Sequence, residues 1–120
     1  MISQETVINF FKDLKEANDF NSNEKLLWGY FFLDSNKKKL EDFSLKLEQL
    51  GYRFKNIFEA EKINEGDKAE YYLHVEKIEH HTVDSLYALN NIFYDLVTEN
   101  NIDFYDGFDV GSIISSENIR

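Results

Sequence analysis

The stretch from Ala69 to Gly111 limits the possible folds most, because it reads as a strand, an amphipathic helix and a second strand in direct succession. Tyr71-Tyr72-Leu73-His74-Val75 is rich in aromatic and β-branched residues, the composition of a half-buried strand. From Val83 to Thr98 apolar residues recur every three or four positions. Leu86, Leu89, Phe93 and Leu96 form the stripe, Ile92 and Val97 widen it, and Thr82 stands ready as the N-cap. Ile102 to Tyr105 reads as the second strand, running into Tyr105-Asp106-Gly107-Phe108 as an acidic turn. Two strands joined through a crossover helix run parallel, with a right-handed connection.

The preceding residues supply the rest of the pattern. Ser3 caps a helix expected over Gln4 to Ala17, with Val7, Phe10, Phe11 and Leu14 on one stripe and a polar linker, Asn18 to Asn23, after it. Lys25 to Leu33 is the first strand, and both of its faces are apolar. Such a strand belongs at the centre of a sheet and is covered on both sides. The N-terminal helix is one candidate cover for the second face, and a dimer partner is another. Asp34-Ser35 opens a helix with Leu40, Phe43, Leu47 and Leu50 in register, and Gly51 follows as its C-terminal cap. Tyr52 to Glu61 and Ala69 to Ile78 form a hairpin around the turn Asn64-Glu65-Gly66-Asp67. After Ser112 the tail is short and polar, with Ile113 and Ile114 suited to a small strand or an edge contact. A helix followed by β-α-β-β-α-β is the pattern of an α+β, ferredoxin-like α/β sandwich with an antiparallel sheet and an extra N-terminal helix. Strands one and three lie at its centre. The expected organisation is one domain over 1–120: the helix within 1–20, the core over 25–111 and a tail over 112–120.

Charge and composition narrow the function. Lys and Arg number 13 against 23 Asp and Glu, a net charge of −10. That field repels nucleic acid, whose binding requires cations that displace phosphate counterions. It attracts a protein with a basic surface and speeds the encounter. With no cysteine there is no disulfide scaffold and no thiolate metal site. The N-terminus lacks the pattern of a signal peptide, and the longest apolar run, Leu26 to Leu33, is too short to span a membrane. A cytoplasmic protein is expected, with no direct nucleic-acid or membrane partner.

The motifs weigh against chemistry. Glu79-His80-His81, with His74 and Glu76 nearby, invites a metal reading, but adjacent residues of a strand point to opposite faces. Zinc needs three or four convergent ligands, and a solvated strand end leading into a helix cap accounts for the cluster. Asp103, Asp106 and Asp109 are spaced unlike an EF-hand loop, so an acidic turn that touches a basic partner is the functional reading. Its structural counterpart has Asp106 bonding the local backbone and Gly107 at positive φ. No acid–base carboxylate pair, nucleophile elbow or phosphate-cradling glycine loop is present, so neither an enzyme nor a cofactor is expected. Lys37-Lys38-Lys39 opens a helix with Glu41 and Asp42 behind it, a solvated helix start.

Phe32, the run Leu40 through Leu50-Gly51-Tyr52, and Tyr105-Asp106-Gly107-Phe108 together resemble the bacterial family called regulator of ribonuclease activity B, over about Leu27 to Gly111. Family members usually carry Tyr-Asp-Gly-Trp where this chain has Phe108 in the last place. The acidic tail usual in the family is largely replaced by Ser115-Ser116-Glu117-Asn118-Ile119-Arg120. The resemblance implies a ferredoxin-like fold and protein–protein inhibition of ribonuclease E in RNA decay, without catalysis. Related small domains occur among immunity proteins that neutralise bacterial toxins.

The expected function is therefore a non-enzymatic acidic inhibitor or regulator that binds another protein, favouring a ribonuclease. An immunity protein, or a small ligand-binding domain or enzyme on the same fold, is the alternative. Its expected partner-binding residues are Trp28, Tyr30, Tyr72, Asp103, Tyr105, Asp106, Gly107, Phe108 and Asp109. Trp28, Tyr30 and Phe32 form an aromatic stripe that is core by default and contact if its face is open. Tyr72 is free by parity to join that face.

Overall fold

In a computed structural model, which describes residues 1–17 and 24–111, the elements run α1 (Gln4–Ala17), β1 (Leu26–Asp34), α2 (Lys37–Gln49), β2 (Arg53–Glu59), β3 (Tyr71–Glu79), α3 (Val83–Glu99) and β4 (Phe104–Gly111). The linker expected over Asn18 to Asn23 and the edge contact expected at Ile113 and Ile114 lie outside these residues. The four strands form one antiparallel sheet in the order β2-β3-β1-β4, with β1 and β3 at the centre. Among the described residues this is an α+β architecture of three helices and four strands.

Local chemistry sets the helix boundaries. Asn36 caps α2 by accepting from the Lys39 amide, while Gly51, at φ 99°, ends it as expected. Thr82 and Ser85 form a reciprocal capping box at the start of α3. Expected stripe residues Leu40, Phe43, Leu47, Leu86 and Phe93 are buried, but Leu50 and Ile92 are exposed, and the polar Asn90 takes a core position. Its side-chain oxygen accepts from the Tyr105 hydroxyl at 2.6 Å, and its amide nitrogen has no partner among the described residues.

The core lies on one face of the sheet. Phe32 meets Phe43 of α2 at 5.1 Å and Phe93 of α3 at 5.3 Å between ring centroids, while Phe10 of α1 packs on Trp28 at 5.9 Å and Phe108 at 4.9 Å. The Ile2 amide donates to the Tyr94 hydroxyl of α3 at 2.7 Å. The N-terminal helix therefore shares the face covered by α2 and α3 and does not cover the second face of β1. The aromatic side chains of α1 find their partners in Trp28 and Phe108, both of which point toward the helices.

The fourth strand corrects the sequence reading. Expected to end at Tyr105, it continues to Gly111, and Tyr105-Asp106-Gly107-Phe108 is a bulged strand rather than a turn. β1 is nine residues long and offers partners throughout: Tyr30 opposite Phe108, Trp28 opposite Val110. Tertiary pairing overrides the local Asp-Gly turn signal, and the irregularity is absorbed as a bulge with Gly107 at φ 131°.

A polar network ties the end of β3 to α3. The Tyr30 hydroxyl donates to Glu79 Oε2 at 2.5 Å, His81 Nε2 lies 2.8 Å from the same oxygen, and His81 Nδ1 is 2.9 Å from Ser85 Oγ. Burial alone would raise the Glu79 carboxyl. Hydrogen bonds from His81 and Tyr30, with the charges of His81 and Lys77, outweigh it and hold the group below its ordinary 4.5. A carboxyl that titrates lower when folded stabilises above its ordinary value, and that contribution is lost as pH falls through the folded value. His74 is held below its ordinary 6.5, chiefly by burial; Asp109 opposes this and Lys55 assists it. Its neutral form is favoured in the fold, so stability also falls as pH drops below 6.5. Urea midpoints are expected to decline in two stages on acidification, and Glu79→Gln should flatten the lower one. A Glu79→Gln profile parallel to the parent across that limb would remove Glu79 from this account.

Candidate functional site

Strand register sorts the expected contact residues onto two different faces. Trp28 and Tyr30 are 1% and 0% exposed within the core, so their side chains are not on a surface of this fold. Tyr105 is buried beside Asn90, and Phe108 lies against α1. Tyr72 pairs with Leu33, one residue out of phase with Trp28 and Tyr30, and so points from the opposite face. Register, unreadable from the sequence, decides this.

On that opposite face, among the described residues, no helix packs. Its side chains form lateral rows across β2, β3, β1 and β4. One row is Phe58, Tyr72, Leu33 and Phe104. The next is Asn56, His74, Phe31 and Gly107, and the third is Arg53, Glu76, Gly29 and Asp109. The apolar row is partly open to water: Phe104 is 59% exposed and Phe58 40%. Phe58 leans on Tyr72 at 5.5 Å, and Phe31 stacks on His74 at 4.3 Å. In the third row Arg53 pairs with Glu76. The Asp109 carboxylate and His74 ring close over Gly29, where a side chain's Cβ would lie 2.7 Å from His74 Nε2. A shallow depression of about 200 Å³ remains, lined by Leu27, Gly29, His74, Glu76, Asp109 and Val110 among others.

Each edge strand extrudes a charge at a bulge. On β2 the irregularity between Phe54 and Asn56 releases Lys55, which lies close enough to His74 to disfavour its protonation. On β4 the irregularity opposite Phe31 and Phe32 releases Asp106. Together with burial, Asp106 raises the Tyr72 hydroxyl above its ordinary value. The three aspartates of the expected acidic turn diverge: Asp103 donates its amide to Asp34, Asp106 stands beside Tyr72, and Asp109 covers Gly29. Among the described residues no group of three or more His, Cys, Asp or Glu could hold a metal ion, and no helix is long and apolar enough to cross a membrane.

Charge is also divided between the two sides of the molecule. Residues 83–111, from α3 through its connection into β4, contain Asp84, Asp95, Glu99, Asp103, Asp106 and Asp109, all exposed, and no Lys or Arg. Residues 37–55, from α2 into β2, contain six Lys or Arg against three Asp or Glu. Asp95 and Glu99 share one helix face four residues apart. They stand at the C-terminal end of α3, where the helix dipole is already negative and no basic residue occupies the last turn. Lys46 of α2 reaches Asn100 at the foot of this helix.

A sequence model for the family described as Regulator of ribonuclease activity B matches residues 4–110. Comparison with curated proteins and with solved structures gives no match.

Proposed function

The chain belongs to the regulator of ribonuclease activity B family, and from that premise we propose that it is a non-enzymatic cytoplasmic protein that binds a ribonuclease and lowers its activity. The fold reads as a ferredoxin-like sandwich with an added N-terminal helix; the element order and the central position of β1 and β3 support that reading. The observation that carries the functional reading is the six exposed carboxylates between Val83 and Gly111 with no intervening cation. Asp95 and Glu99 share one face at the C-terminal end of α3, where the helix dipole adds to their field at a cost in helix stability, and Asp103 follows in the connection to β4. Ribonucleases that hold RNA need a cationic surface, and a concentrated negative surface is complementary to one. Such complementarity acts first on the association rate and weakens with salt.

The test is an RNA-cleavage assay with ribonucleases purified from the same host. Inhibition by the parent protein should weaken as salt rises. The triple reversal Asp95→Lys, Glu99→Lys, Asp103→Lys should raise the half-inhibitory concentration by at least about tenfold, since several charge pairs would become repulsive at once. Equal inhibition by the triple variant would place the contact elsewhere, and failure to inhibit any host ribonuclease would overturn the reading.

A further inference from the structure

The open sheet face is complementary to itself. Consider a twofold axis lying between two sheets and running along the strands. It lays each row on its own copy, reversed end for end. Phe58, Tyr72, Leu33 and Phe104 then meet Phe104, Leu33, Tyr72 and Phe58. In the third row, the Arg53 end of one copy meets the Asp109 end of the other. The two bulges place Lys55 opposite Asp106 to within about one residue's rise, about 3.3 Å. We propose that this face docks a second copy of the chain, giving a twofold dimer with the two sheets packed face to face.

Three features favour a second copy over a different partner. The charges on this face are divided by edge, Arg53 and Lys55 on β2 and Asp106 and Asp109 on β4, and an end-for-end reversal brings opposite signs together at both edges at once. A basic partner laid over the face would meet Arg53 and Lys55 as like charges. The apolar content also runs across the two central strands, where sheet-on-sheet packing buries it: Leu27, Phe31 and Leu33 are half-buried on β1, and Ile78 is 50% exposed on β3. In size, four strands about 4.8 Å apart and about eight residues long give a plane of roughly 500 Å² per copy. The total of roughly 1,000 Å² reaches the lower bound for a specific interface. The dimer takes up Asp106 and Asp109 but not Asp95 and Glu99 of α3, which packs on the other face of the sheet, so the dimer test and the ribonuclease test can fail independently.

The experiment is sedimentation velocity on the full chain from low to high micromolar concentration. A species of twice 14.2 kDa is expected for the parent. Phe104→Asp, at an exposed site, should give a folded monomer, with folding checked by circular dichroism. Asp109→Arg and Arg53→Asp should each weaken association at least about tenfold by placing like charges together. The double variant should recover most of the loss, because the exchanged pairs are again opposite in sign. A parent that stays at 14.2 kDa throughout, a dimer indifferent to Phe104→Asp, or a double variant no better than the singles would each overturn the proposal.

Discussion

Trp28→Ala is expected to lower the unfolding free energy by about 3–5 kcal/mol, the range for deleting a large buried ring. The indole is 1% exposed and touches Phe10 and Phe11 of α1, Phe108 of β4 and the His81 ring, whose centroids lie 5.1–6.1 Å away. Its Nε1–H donates to the Glu79 backbone carbonyl at 3.0 Å. Loss of the ring therefore opens a cavity where α1 meets the sheet, and near-ultraviolet dichroism should report looser packing. Trp28→Phe keeps much of the volume but not the donor, and should cost only about 1–2 kcal/mol. Urea denaturation measures both. If Trp28→Ala cost under about 1 kcal/mol while abolishing ribonuclease inhibition, the indole would be a contact residue rather than core.

Asp34→Ala is expected to cost about 2–4 kcal/mol by removing a buried, charged acceptor that serves three donors. The carboxylate is 1% exposed. It accepts from the Asn36 amide at 2.7 Å and the Asp103 amide at 3.0 Å, and pairs with Lys39 at 3.2 Å. One side chain thus joins the end of β1, the start of α2 and the entry to β4. It also supplies the negative charge that the lysine-rich first turn of α2 lacks. Asp34→Asn retains one acceptor oxygen and should lose roughly half as much. Comparable losses from the two substitutions would show that the charge, rather than the acceptor geometry, dominates. Neither loss exceeding about 0.5 kcal/mol would overturn the role.

Asp34 also marks a limit of sequence reading. Asp34-Ser35 announces a helix start, and the aspartate does accept the Asn36 amide. Nothing in the local sequence shows that its second oxygen reaches residue 103. Asn90 is similar: helical spacing puts it near the apolar stripe, but only the fold brings the Tyr105 hydroxyl to it. Gly29 reads as one more small residue in an apolar strand until Asp109 and His74 are seen to close over it. Arg53, Lys55, Phe58 and Phe104 carry no local signal of a shared face, because each belongs to a row assembled from four strands. The alternation of each strand was legible, and would have put Phe104 and Asp106 in question, but not their neighbours.

The sequence by itself determined the elements: three helices at their observed positions, a hairpin and a central apolar strand. These rest on 3.6- and 2-residue periodicities, caps and glycines, which act within a few residues. The family follows from the same residues, since Leu50-Gly51-Tyr52 and Tyr105-Asp106-Gly107-Phe108 are local patterns. Only the tertiary structure decided which face of β1 the helices cover, that Trp28 and Tyr72 point to opposite sides, and that β4 runs past its acidic Asp-Gly. The physical reason is register: a shift of one residue sends every side chain of a strand to the other face, and register is fixed by partners tens of residues away.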